Sequence, residues 1–293
     1  MKIRNPLAIF IVLWAVLPFS VGAAIDSSFT QSADQLRTFI SVGVWTAWGL
    51  VLGSSIIRRP WGLTVVRIIA PATVPTILVT HWSATFASGT LTVALSHAVL
   101  VSLLALLPET GHLMVDGLSY GDEKRFLLRV PTAVLFGPLP LVWAITVSGI
   151  FSGPILVASG KWGVGLALWA VGWLLAALAT RSMHQLARRW IVFVPNGFVI
   201  HDYLATREPF LLRRQDLSSL GPAAADIDTS SEDLIDVSQL ALGPVLHVVL
   251  RGDVEVVPRS RGISEVRQVA QILFSPTRPG AVLEEAHQRK LLR

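Results

Sequence analysis

Apolar residues are grouped along the chain in six long runs, at 7–24, 38–57, 63–80, 91–107, 132–150 and 163–180, separated by short polar segments. A helix crosses the hydrocarbon of a bilayer with roughly 20 mostly apolar residues, so each run predicts one membrane-spanning helix. Trp45, Trp61, Trp82, Trp162 and Trp173 mostly fall at the ends of these runs or within a turn or two of them, where an indole keeps one side wet. Pro71 and Pro75 interrupt the third run and Pro138 and Pro140 the fifth, which predicts kinked helices whose freed carbonyls are satisfied by neighbours. Gly149 and Gly153 form a small-xxx-small pair of the kind that permits close helix approach.

After Arg189 the pattern shifts to short alternating runs that predict strands. Trp190–Val194 and 198–201 flank Pro195, Asn196 and Gly197, where Asn-Gly favours a tight hairpin turn with positive φ. A third strand is expected at 210–212, after which Asp216 is placed to cap a short helical turn through Leu220. Residues 221–233 read as an exposed acidic loop, and 234–241, 245–250 and 254–257 as three more strands with turns at Gly243-Pro244 and Gly252-Asp253. Ser264 is positioned to cap a helix in which Val266, Val269, Ala270 and Leu273 recur at helical spacing, giving one apolar face for the sheet. Pro276 and Pro279 end that helix, and a last charged helix is expected over 280–292. The expected organisation is an α-helical polytopic domain at 1–185, a small cytoplasmic all-β or α+β barrel at 189–275 and a charged helix at 276–293.

Charge orients the spans. Lys2, Arg4, Arg58, Arg59, Lys124, Arg125, Arg129, Arg181, Arg188 and Arg189 flank the runs on one side, and only Arg37 and Lys161 flank them on the other. By the positive-inside rule this predicts a multi-pass protein of the inner (plasma) membrane with both termini and the β-rich domain in the cytoplasm. The basic start, apolar stretch and Gly22-Ala23-Ala24 also look like a cleavable signal, and cleavage would leave five spans with the carboxy terminus still inside. Composition agrees with a membrane protein, at 52% hydrophobic residues, 15% charged residues and a mean hydropathy of +0.60. The net charge of +5 sits mostly at the ends of apolar runs, which assigns it to anionic headgroups of the inner leaflet rather than to nucleic acid. Without a cysteine in the chain, disulfides, thiolate metal sites and cysteine nucleophiles are excluded.

Short antiparallel strands closed by an amphipathic helix, with the Arg188-Arg189-Trp190 start, the Pro195-Asn196-Gly197 hairpin and the turn of helix at 216–220, resemble a pleckstrin-homology-like (PH-like) domain of the kind bacteria append to membrane helices. The whole chain resembles multi-span membrane proteins of actinobacteria, notably in the loop from Asp116 to Arg125. The PH-like resemblance implies a barrel that binds lipid or peptide or serves as a scaffold.

Ionisable groups inside a membrane are costly and point to candidate sites. Arg67 lies about a turn and a half inside the third run, near enough to the inner face to snorkel, and His97 sits in mid-span as a hydrogen-bonded packing residue. Glu109, His112 and Asp116 recur at i, i+3 and i+7, so a helix continuing past Pro108 would set all three on one face as a metal site requires; the simpler reading of 108–129 is a solvated connector. Asp226, Asp228, Ser230 and Glu232 alternate as in a calcium loop, but Ser231 and Val237 stand where that loop needs Gly and Glu. No catalytic signature is present, and no cofactor is expected. The basic set Arg188, Arg189, Arg207, Arg213 and Arg214 is the expected docking surface for inner-leaflet headgroups or for another membrane or cytoplasmic protein. These readings converge on a non-enzymatic scaffold or accessory subunit, with a small transporter or lipid-handling subunit and a membrane enzyme using the 108–129 loop as alternatives.

Overall fold

The computed structural model describes residues 5–29, 34–83, 87–259 and 266–291. Lys2, Arg4 and the expected helix cap Ser264 lie outside them. Two compact units emerge: Met1–Gly117 with Pro140–His184, and Leu118–Leu139 with Gln185–Arg293.

The first unit is helical. The first apolar run is broken into α1 (Pro6–Val16), a 3-10 turn at Leu17–Phe19 and α2 (Val21–Ser28). The break follows from Pro18, which has no N–H to continue the ladder, and Leu17 N–H turns back to Trp14 O. Next come α3 (Asp34–Ile57), α4 (Pro60–Ser83), α5 (Ser88–Leu106) and α6 (Pro108–Asp116); α7 (Thr132–Phe136) belongs to the second unit, and α8 (Pro138–Ala158) and α9 (Trp162–Ala187) complete the first. Six helical stretches, Pro6–Ser28, Asp34–Ile57, Pro60–Trp82, Ser88–Leu106, Pro138–Val157 and Trp162–Ala187, are long and apolar enough to cross a membrane.

The fifth run differs from expectation. Gly137 separates α7 from α8, and Pro138 opens α8 at a position where its missing N–H leaves nothing unsatisfied, so the apolar helix starts later than 132 and carries Pro154 inside instead. Pro71 and Pro75 do lie inside α4, where Trp143 Nε1–H donates to Ile68 O at 3.0 Å and Ser102 Oγ–H to Ala70 O at 3.0 Å. Gly149 and Gly172 meet backbone to backbone: a Cβ on Gly149 would stand 2.4 Å from Gly172 O. The small-xxx-small pair therefore sits at the crossing of α8 and α9. α1 and α3 are tied reciprocally, Trp14 Nε1–H to Trp48 O at 3.0 Å and Trp48 Nε1–H to Trp14 O at 2.9 Å.

In the second unit, β1 (Lys124–Leu127), β2 (Trp190–Val194), β3 (Gly197–His201) and β4 (Phe210–Arg213) form one antiparallel sheet in the order β1-β2-β3-β4. A second sheet, in the order β5-β7-β8-β6, contains β5 (Leu217–Pro222), β6 (Leu234–Asp236), β7 (Leu246–Val256) and β8 (Arg267–Phe274), with β6 and β8 parallel. Phe126, Phe193, Phe198 and Phe274 fill a core shared by the two sheets, and Val282 and Ala286 of α10 (Pro279–Gln288) pack into it.

Five expectations change here. Residues 124–127 are not part of a solvated connector: Phe126 is fully buried and packs edge-on against Phe193 at 5.7 Å. The helix expected around 266–273 is the strand β8, because Ile272, Leu273 and Phe274 are consecutively buried between its neighbours and α10 supplies the helix. Gly252-Asp253 is not a turn; β7 runs through it with a bulge between Val249 and Val254. Leu217 to Leu220, expected as a helical turn capped by Asp216, belong to β5 instead, and the turn of helix is a 3-10 one just before it at Arg214–Asp216. In the hairpin, Pro195 and Asn196 are the turn residues, and positive φ is confined to Gly197 at +149°, where a Cβ would meet Leu212 O at 2.0 Å.

Candidate functional site

β2 and β3 pair from Trp190↔His201 at one end to Val194↔Gly197 at the other. Five residues at about 3.3 Å rise put those ends roughly 13 Å apart. The expected docking arginines divide between them.

At the Trp190 end, Arg189 is not a docking residue. Its guanidinium is 1% exposed and grips Asp202 with both branches, Nε to Oδ1 at 2.8 Å and Nη2 to Oδ2 at 2.7 Å. Nη1 donates to Arg129 O at 2.6 Å, so the pair ties β1's continuation to β2 and to the loop after β3. The fork geometry satisfies both carboxylate oxygens and keeps both charges out of water. Arg188 is half-buried with its guanidinium 5.6 Å from the Tyr203 ring, and Arg207 is exposed on the loop after β3. His201 stacks on Trp190 at 4.7 Å and donates Nδ1–H to Arg188 O at 2.9 Å; burial holds its pKa below the ordinary imidazole value.

At the Asn196 end lies an open cleft of about 490 Å³ lined by Asn196, Leu211, Arg213, Arg214, Gln215, Leu217, Arg251 and Leu291. Strand alternation places it. Phe210 and Leu212 of β4 are buried, which turns Leu211 and Arg213 outward. Arg214 N–H donates to Asn196 O at 2.7 Å and its side chain to Arg289 O at 2.6 Å, fixing one wall. Arg251, exposed on β7, supplies a third guanidinium. Among the described lining residues there is no Asp or Glu, so three cations and two amides face an apolar floor of Leu211, Leu217 and Leu291. Arg251 escaped the sequence reading because Arg251-Gly252-Asp253 looks like a turn, and its partners stand about 37 residues earlier.

Nearby, Glu285 of α10 accepts from Lys124 Nζ at 2.6 Å and Arg289 Nε at 2.7 Å. Its burial opposes ionisation, yet the two cations prevail and hold the carboxyl below its usual range.

The other candidates lie in the first unit. Glu109, His112 and Asp116 all fall on α6, but they do not gather: among the described residues no group of three His, Cys, Asp or Glu is placed to hold a metal ion. Thr110, His112, Met114 and Val115 are buried, so 108–116 is a packed helix rather than a solvated connector. Arg67 is half-buried on α4, and its Nε is buried without a hydrogen-bond partner. His97 bridges the break in the first run, with Nδ1 2.6 Å from Ser20 Oγ and Nε2 3.0 Å from Leu13 O. Because a carbonyl only accepts, Nε2 carries the hydrogen, and in the neutral ring Ser20 donates to Nδ1. Asp228 takes Ser230 N–H and Oγ–H within its own loop, a local turn rather than a calcium site.

Comparison of the chain with known protein families, curated proteins and solved structures finds no match.

Proposed function

We propose that the chain is a membrane-anchored docking subunit: six helices hold it in the bilayer, and the second unit, on the cytoplasmic side, receives an acidic segment of a partner protein in the Arg213–Arg214–Arg251 cleft. The observation that carries this reading is the cleft itself, which combines three guanidinium groups, no lining carboxylate and an apolar floor. Its lining favours a protein segment over a bare headgroup, because Leu211, Leu217 and Leu291 offer apolar contacts beside the cations. Two four-stranded sheets around one core with a covering helix support the likeness to PH-like domains, a fold that hosts peptide binding and scaffolding among other roles. The excess of Lys and Arg beside α3, α4, α8 and α9 on one side supports the cytoplasmic placement.

The full-length protein, carrying a photo-crosslinking residue at Leu211, should capture a discrete protein in native membranes. Three exposed charge pairs at about 0.5 kcal/mol each sum to about 1.5 kcal/mol, so Arg213→Glu, Arg214→Glu and Arg251→Glu together should weaken capture at least about tenfold. Capture unchanged by this reversal, or capture of lipid alone, would refute the docking role of the cleft.

A further inference from the structure

The loop between β6 and β7 turns two leucines into solvent. Leu240 is 82% exposed and Leu242 57% exposed, while Ala241 between them is buried. Gln239 and Leu240 are consecutive left-handed residues at φ +50° and +57°, and Gly243 follows at +109°. A leucine in that region is strained, and such strain persists where surrounding contacts hold it. Here they do. Thr132 Oγ–H donates to Leu240 O at 2.5 Å, Arg129 Nη1 donates to Leu242 O, and Arg129 Nε donates to Pro276 O at 3.0 Å.

Those contacts set the loop beside α7, which has an apolar display of its own: Phe136 is 72% exposed and Leu135 37%. Only Gly137 separates Phe136 from the first residue of α8, one of the six apolar helices. Neither 128–139 nor 237–245 contains an Asp or Glu, and Arg129 lies between them. Leucines and a phenylalanine at the point where an apolar helix departs, with a cation and no carboxylate, match the boundary between headgroups and acyl chains.

We propose that the loop Gln239–Gly243, together with Leu135 and Phe136, is an interfacial wedge that inserts into the inner leaflet and holds the Trp190 end of the second unit against the bilayer. The occupant of this surface is lipid. The proposal rests on the membrane-spanning reading of the apolar helices, and it is independent of the arginine cleft at the other end. It also gives the strained backbone of Gln239 and Leu240 a role, that of presenting the exposed leucines.

The absence of cysteine makes the test clean, because any introduced cysteine is the sole labelling site. Full-length protein in lipid nanodiscs is spin-labelled in turn at Leu240→Cys, Leu242→Cys, Ser218→Cys on exposed β5 and Leu174→Cys on the exposed face of α9, and collisions with oxygen and with a water-soluble nickel chelate are measured. The ratio of oxygen to nickel collisions at positions 240 and 242 should be shifted from the Ser218 value toward the Leu174 value. A water-like ratio at both, or shielding from both relaxants as under a protein partner, would overturn the wedge while leaving the spans intact. A water-like ratio at Leu174 would instead overturn the membrane-spanning reading itself. If Leu240→Cys fails to fold, Leu242→Cys, outside the left-handed pair, decides alone.

Discussion

Arg189 and Asp202 form a buried, two-pronged ion pair where β2 begins, with 1% and 0% of their side chains exposed. The pair also reaches Arg129 O, so one guanidinium joins the segment that leads to α8 with the segment that arrives from α9. Removing one partner strands a charge, whereas removing both does not. Arg189→Met should therefore destabilise the second unit by about 3–5 kcal/mol, and Arg189→Met with Asp202→Leu should recover most of that loss. Hydrogen exchange of the β1 and β2 amides in the full-length protein checks this; equal protection in wild type and Arg189→Met would show that the pair is not structural.

Phe126 tests whether the segment between the fourth and fifth apolar helices is part of the sheet. It is 1% exposed, and truncation to Ala should cost about 3–5 kcal/mol. Limited proteolysis in the β3–β4 loop should accelerate in Phe126→Ala, although that loop lies some 80 residues away in the chain. An unchanged cleavage rate would return 124–127 to a mere connector.

What the sequence revealed and concealed follows from the range of the interactions. Hydropathy reports the apolar helices directly because each run carries its own signal, and the β2–β3 hairpin is local, announced by Pro195, Asn196 and Gly197. β1 was hidden because Lys124 and Arg125 look like interface charges and their pairing partners Phe193 and Val192 are far along the chain. β8 was misread because Val266, Val269, Ala270 and Leu273 satisfy a helical period, and only burial of both faces shows that a strand needs no alternation there. Arg189 looked like any basic residue beside a span until Asp202 was seen to meet it. The cleft was half legible, since Arg213 and Arg214 were expected at a docking surface and Arg251 joins them only through the folding of β7.

Acid should loosen the second unit in two stages. His201 is held below the ordinary imidazole value of 6.5 by burial, so the unfolded chain binds the proton first and stability falls as pH drops below 6.5. Glu285 is held below 4.5, so its contribution, present above that value, is lost as pH falls through its lower folded value. Glu285→Gln should shrink the second stage and leave the first, the remainder coming from Asp233, which hydrogen bonds from Ser231 and Gln271 also hold below its usual range. Thermal melts of the detergent-solubilised protein between neutral and acid pH follow both; a Glu285→Gln profile identical to wild type would refute the role assigned to Lys124 and Arg289.

Topology is the most direct test of a membrane-anchored cytoplasmic docking unit. Because β1 and β2 are paired, residues on either side of α8 and α9 must share one face, so Asp122→Cys and Ser218→Cys should behave alike. With a membrane-impermeant maleimide, both should stay unlabelled in intact cells and react after permeabilisation, whereas Lys161→Cys between α8 and α9 should react in intact cells. Labelling of Asp122→Cys and Ser218→Cys from outside would place the second unit on the wrong face and contradict the account.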